Sequence, residues 1–163
     1  MQRARGFSLI ELMVTLVLAG IVLAIGMPAF GRFRTSLLLK QANAQVLQDV
    51  RRARQLALTR RAPVVMRFGA PPSVSNITSY TIHVDTNGDN LVQSSEMVTV
   101  RNLPNGTRLS AISLTPVDSL VFDFSGVLRP VTLGTPGGRL TLANALNRRD
   151  TLMVSAAGVC YQP

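Results

Sequence analysis

Gly6-Phe7-Ser8-Leu9-Ile10-Glu11-Leu12 leads into an apolar stretch that ends at Phe30, and its reading decides what kind of protein this is. From Leu12 to Phe30 there is no charged residue over 19 positions. A helix needs about 20 such residues to cross the hydrocarbon of a bilayer. Leu, Val, Ile and Ala dominate the stretch, and a helix there keeps its backbone hydrogen bonds internal in lipid. Three accounts compete. A secretory signal peptide would use Arg3 and Arg5 as its basic region and be cleaved near Ala24-Ile25-Gly26, yet Glu11 interrupts it and the apolar run passes that point. A plain membrane anchor leaves Glu11 unexplained, because a carboxylate in a membrane helix is expensive and marks function by default.

The third account is a resemblance. A basic leader, Gly6, Phe7, and Glu11 at fixed spacing before an apolar helix resemble the class III leader junction of type IV prepilins and type II secretion pseudopilins. The resemblance implies cleavage by a prepilin peptidase between Gly6 and Phe7, N-methylation of Phe7, and an assembly role for Glu11. It also implies that Glu11 of an incoming subunit meets the Phe7 amine of a neighbour in a filament. Physical chemistry agrees: an unpaired carboxylate in lipid is costly, and one beside a fixed cation is tolerated. Arg3 and Arg5 would hold residues 1–6 in the cytoplasm. Pro28 removes a backbone donor late in the span and predicts a helix kink there. Its position resembles that of a proline common in pilins of type IV pili.

Beyond Phe30 the chain turns polar and basic, with Arg32, Arg34 and Lys40. Apolar residues then recur at Leu39, Ala42, Val46, Val50, Ala53 and Ala57, three or four apart, which is one face of a helix. Pro63 sets a stop, so one helix is expected from about Ser8 to Arg61, roughly 80 Å long, half in lipid and half on a domain. Arg51, Arg52, Arg54, Arg60 and Arg61 are expected on its exposed side, with Asp49 the nearest acid. That side reads as a solvated face or as a contact surface for a partner or polyanion. Ala53-Arg54-Gln55-Leu56-Ala57, followed by Arg61-Ala62-Pro63-Val64, resembles the GspH/FimT branch of the pilin family.

After Pro63 the signals are short strands: Val64–Phe68, Tyr80–Asp85, Met97–Arg101, Arg108–Leu114, Leu120–Phe124, Val127–Leu133, Arg139–Leu142 and Thr151–Val154. Pro71-Pro72, Asn87-Gly88, Pro104-Asn105-Gly106, Ser125-Gly126 and Pro136-Gly137-Gly138 supply turns. Ala143–Asn147 reads as one helical turn. The expected fold is α+β: a long N-terminal helix, transmembrane in its first half, packed on a C-terminal antiparallel β-domain in the manner of type IV pilins. The expected parts are a leader at 1–6, a transmembrane half at 7–30, an amphipathic periplasmic half at 31–62, and a β-rich domain at 63–163. Phe122-Asp123-Phe124-Ser125-Gly126, Gly138-Arg139-Leu140-Thr141-Leu142, Leu152-Met153-Val154-Ser155 and Gly158 again resemble the GspH/FimT branch.

Catalytic chemistry finds little support. One Cys and one His cannot hold structural zinc, and no nucleophile elbow, phosphate loop or metalloprotease motif occurs. No catalytic residue, no enzyme activity and no resident cofactor are expected. Asp85, Asn87, Asp89 and Glu96 fall at positions 1, 3, 5 and 12 of an EF-hand-like loop and are candidate calcium ligands. Gly88 and Asn90 depart from that pattern, and Asn87-Gly88 reads equally as a hairpin tip. His83 alternates onto the polar face of its strand. Cys160 reads as a buried thiol or an intermolecular disulfide, with burial favoured.

Without residues 1–6 the chain holds 15 basic and 8 acidic groups, all the bases at Arg32 or later. A surface of that kind favours phosphates. Some FimT proteins that this sequence resembles act as DNA receptors through a Gly-Arg-x-Arg tail. Here the matching stretch is Gly158-Val159-Cys160-Tyr161, without either arginine, and Arg148-Arg149 are the nearby substitutes. The resemblance thus implies a FimT/FimU-like minor pilin that primes assembly of a type IV pilus. A pseudopilin H-like subunit of type II secretion and a DNA-receptor pilin are the alternatives. The partners implied are prepilin peptidase, other major and minor pilins, inner-membrane lipid and, in the last case, DNA.

Overall fold

A computed structural model of the chain describes residues 8–69, 76–93, 95–115, 118–129 and 137–163. Gly6 and Phe7 lie outside these residues, as do Pro71-Pro72, Pro136 and part of the expected strand Val127–Leu133. Two compact units result, residues 1–34 and 35–163. Helix α1 runs Leu9–Arg60 and is uninterrupted at position 28, so Pro28 does not end it.

In the first unit, the Ser8 carbonyl accepts the backbone N–H groups of Glu11 (3.0 Å) and Leu12 (3.2 Å) and so starts the helix. Glu11 sits in its first turn, where a negative charge suits the helix dipole. The apolar side chains from Leu9 to Ile25 are exposed. Among the described residues this is the one helix long and apolar enough to cross a membrane.

The second unit carries the core. Leu39, Ala42, Val46, Val50, Ala53 and Ala57 are all buried, so the 3.6-residue periodicity read from the sequence is the packing face. Among the described residues, two four-stranded antiparallel sheets complete the unit. The first has the order β3-β2-β1-β5, from Val98–Asn102, Ser79–Val84, Val64–Arg67 and Ser119–Phe122. The second has the order β4-β6-β7-β8, from Thr107–Thr115, Gly137–Asn144, Arg149–Val154 and Cys160–Tyr161. Inward residues of both sheets join the helix in one cluster, among them Val64, Met66, Phe122, Leu140, Leu142 and Leu152. A bulge between Leu109 and Ala111 shifts the β4–β6 register.

Four expectations need correction. Ala143–Asn147 forms no helical turn: β6 runs to Asn144, whose Oδ1 accepts the N–H groups of Leu146 and Arg148 and closes the β6–β7 hairpin. Of Val127–Leu133, the described part makes only an isolated bridge, Phe122 to Leu128. Asp49 is not on the exposed side of α1 but buried. His83 is also fully buried. It pairs with Val65 and Val98, on the face of the first sheet opposite the helix, and that face has a second buried layer with Val65 and Val121. Alternation assigned His83 to that face correctly, but not that the face is covered.

Candidate functional site

The helix is tied to the first sheet by a polar cluster that periodicity alone does not reveal. Asp49 Oδ2 accepts the Tyr80 hydroxyl at 2.7 Å and Arg101 Nε at 3.0 Å, and its Oδ1 accepts Arg101 Nη2 at 3.0 Å. A two-pronged guanidinium contact of this kind is strong and orientation-specific. Gln45 donates to the Asn102 carbonyl at 2.9 Å. Burial, then the adjacent carboxylate of Asp49, raises the Tyr80 hydroxyl well above the usual tyrosine range. On the second sheet, Asn43 donates to Asp150, whose oxygens also accept the Gln162 amide and the Thr151 N–H. Both carboxylates are therefore structural.

The loop from Asp85 to Glu96 binds its own backbone. Asp85 accepts the N–H of Gly88 at 2.7 Å and of Asn90 at 2.9 Å, and Glu96 accepts those of Thr86 and Gln93 at 3.2 Å. Asp89 accepts the Leu91 N–H at 2.7 Å, a bond that holds its carboxyl below the usual range, together with the amides of Asn87 and Gln93. Gly88 and Asn90 adopt φ of 82° and 58°, the left-handed geometry such a turn requires. The oxygens of the four candidate calcium ligands are thus engaged by amides of the loop. Among the described residues, no group of three or more His, Cys, Asp or Glu side chains could hold a metal. Neither His83 nitrogen has a hydrogen-bond partner among the described residues.

Arg51, Arg54, Gln55 and Leu58 of α1 face Gly158, Val159 and Cys160 across an open groove of about 380 Å³. Two glycines let the turns come this close. A Cβ on Gly126 (φ 74°) would stand 3.1 Å from Leu58 Cγ and 3.2 Å from Arg54 Cγ. One on Gly158 (φ 73°) would stand 2.9 Å from the Phe122 ring. Asp123 shapes the first of these turns by accepting the N–H groups of Ser125 and Val127. Arg54 Nε is buried and has no hydrogen-bond partner among the described residues. The Cys160 thiol is buried, as the sequence favoured, and burial pushes its pKa up to about 11 against the opposing pull of Arg51. Gly158-Val159-Cys160-Tyr161 is therefore a turn and short strand in which Gly158 and Cys160 are buried and Val159 and Tyr161 are exposed. Arg52, Arg148 and Arg149 are exposed, and Arg148 lies 3.3 Å from the Ser36 hydroxyl. The structure brings Arg51 and Arg54 together in the groove, and Arg148 and Arg149 together at the β6–β7 hairpin.

Comparison with known proteins matches these features. Residues 1–27 match the prokaryotic N-terminal methylation motif. A search of curated proteins found no match. Two crystal structures of the type IV minor pilin FimU of Pseudomonas aeruginosa (strain PAO1) share the fold. One is 15% identical, covers 82% of this chain and 90% of its own, and has a TM-score of 0.52. The other, in a second crystal form, is 18% identical over 77% and 92%, with a TM-score of 0.50. The model of the family described as type II transport protein GspH matches residues 42–158, from the helix face that packs on the sheets to the turn that closes the groove, and the chain belongs to that family.

Proposed function

We propose that this protein is a minor pilin or pseudopilin. It is made as a prepilin, cut after Gly6 by prepilin peptidase, methylated at Phe7, and held in the bacterial inner membrane through residues 7–30 with the β-domain in the periplasm. It then enters a type IV pilus or related filament with other pilins and helps to prime assembly, as a binding and packing subunit without catalysis. One observation carries this reading: the methylation motif at residues 1–27 and the GspH match at 42–158 stand on one chain, joined through an apolar helix with Glu11 in its first turn. Glu11→Ala is expected to leave membrane insertion intact and to impair incorporation into filaments, followed by fractionation and by immunodetection of sheared filaments. Normal incorporation of the variant would remove Glu11 from assembly.

A DNA-receptor pilin is the second reading, favoured by charge. Residues 35–163 hold 13 basic and 7 acidic groups, and every one of those acids is engaged: Asp118 with Arg67 and Ser119, the other six as described above. Three of the acids, Asp49, Asp85 and Glu96, are buried, while Arg51, Arg52, Arg148 and Arg149 are exposed. Affinity for duplex DNA that survives near-physiological salt and falls on changing Arg148 and Arg149 would support it. Affinity lost by that salt would leave the assembly subunit.

A further inference from the structure

The groove between α1 and β8 has a composition that restricts its occupant. Two arginine side chains and the Gln55 amide line it beside aliphatic Leu58 and Val159, and no carboxylate among the described residues does. Arg54 Nε is itself buried beside the Gly126 turn, without an acceptor among the described residues, so what the groove offers an occupant is the charge of the two arginine side chains. A carboxylate flanked by aliphatic groups suits this lining, since guanidinium takes carboxylate in two-pronged fashion while its neighbours cover Leu58 and Val159. Nucleic acid fits less well: a duplex backbone is tracked by a line of cations, and here two arginines sit in a cleft with apolar walls. A second copy of residues 35–163 also fits poorly, because all seven of its side-chain carboxylates are engaged in its own fold.

We propose that this groove docks an acidic, aliphatic-flanked segment of a different protein, a heterotypic contact centred on Arg51 and Arg54. The inference rests on groove chemistry and holds whether or not the filament reading does, so a failure of Glu11→Ala to impair incorporation leaves it untouched.

The fragment beginning at Thr35 contains every buried apolar residue among those described and suits the test. Its amide NMR signals would be followed on adding a capped Leu-Glu-Val-Glu-Leu peptide, and separately its Gln counterpart. The acidic peptide is expected to shift signals around Arg54, Leu58 and Val159, with affinity about tenfold or more above that of the Gln peptide. Arg51→Gln and Arg54→Gln should each weaken it about tenfold, and Arg139→Gln, an exposed arginine on β6, should not. Leu58→Glu keeps both arginines and places a carboxylate at the groove in cis, so it should abolish binding. This variant serves as the test if Arg54→Gln fails to fold. Absence of groove shifts at millimolar peptide, equal affinity for the two peptides, or equal loss with Arg139→Gln would overturn the proposal. Arg54-dependent binding of a short DNA duplex in place of the peptide would assign the groove to nucleic acid. Arg54-dependent self-association would assign it to a second copy.

Discussion

Asp49 shows how one residue decides a packing arrangement. A carboxylate in the middle of a helix, two residues before a run of arginines, reads as part of a solvated charged face. Its actual partners, Tyr80 and Arg101, are 31 and 52 positions away in sequence. Removing it leaves a buried hydroxyl and a half-buried guanidinium without an acceptor. Asp49→Ala should therefore cost about 2–4 kcal/mol, toward the lower end because Arg101 is partly in solvent, and urea unfolding of the Thr35 fragment measures it. His83 predicts the opposite sign. Its imidazole is buried with neither nitrogen partnered among the described residues, and burial is the main cause holding its pKa below the usual histidine value. The unfolded chain therefore takes up the proton first, and folding loses stability as pH falls through about 6.5 and below. His83→Leu should stabilise the fragment, by more at pH 5.5 than at pH 7.5. Equal or lower stability of the variant at both pH values would mean that the ring is satisfied.

At the scale of elements, the helix and strands follow patterns printed in the chain. Leu39 to Ala57 at helical spacing, the apolar run Val64–Met66 and the partial alternation in Ser79–Val84 place core residues where the structure has them. The failures share a physical form. Ala143–Asn147 has good helix formers, yet hairpin closure by Asn144 decided its backbone. Cys160–Tyr161 is two residues long, too short for any periodicity, and exists because it pairs with Met153 and Val154. The Asp85–Glu96 loop belongs to this scale as well. A calcium ion at Asp85, Asn87, Asp89 and Glu96 would have to displace the amides of Thr86, Gly88, Asn90, Leu91 and Gln93 from the carboxylates. The midpoint of thermal unfolding is therefore expected to be the same in millimolar calcium and in chelator. A rise with calcium that chelator reverses would mean that the loop rearranges to hold the ion.

At the scale of the molecule, charge and hydrophobicity are segregated. The exposed apolar residues of the first 34 positions suit a lipid or filament interior, and the buried ones begin at Leu39. Residues 35–163 should thus fold cooperatively by themselves. A fragment starting at Thr35 is expected to be soluble without detergent and to melt in a single transition, within a few degrees of the β-domain in the detergent-solubilised full chain. Broad melting, or solubility only in detergent, would show that the first unit contributes to the core. Three acids, Asp49, Asp85 and Glu96, are buried and tie the helix and a loop to the first sheet, whereas Arg51, Arg52, Arg60, Arg61, Arg148 and Arg149 are exposed.

The sequence by itself determined the membrane-length apolar segment, the position of Glu11, the packing face of the helix and the succession of strands. Each is a local pattern, set by chain-neighbour spacing and by the cost of exposing or burying particular side chains. Only the tertiary structure decided that Asp49 and His83 are buried, that the acidic loop is held by its own amides, and that Arg51 and Arg54 share a groove with Val159. These depend on which residues distant in sequence meet, and that is set by sheet order and close approach at Gly126 and Gly158, which no local period encodes.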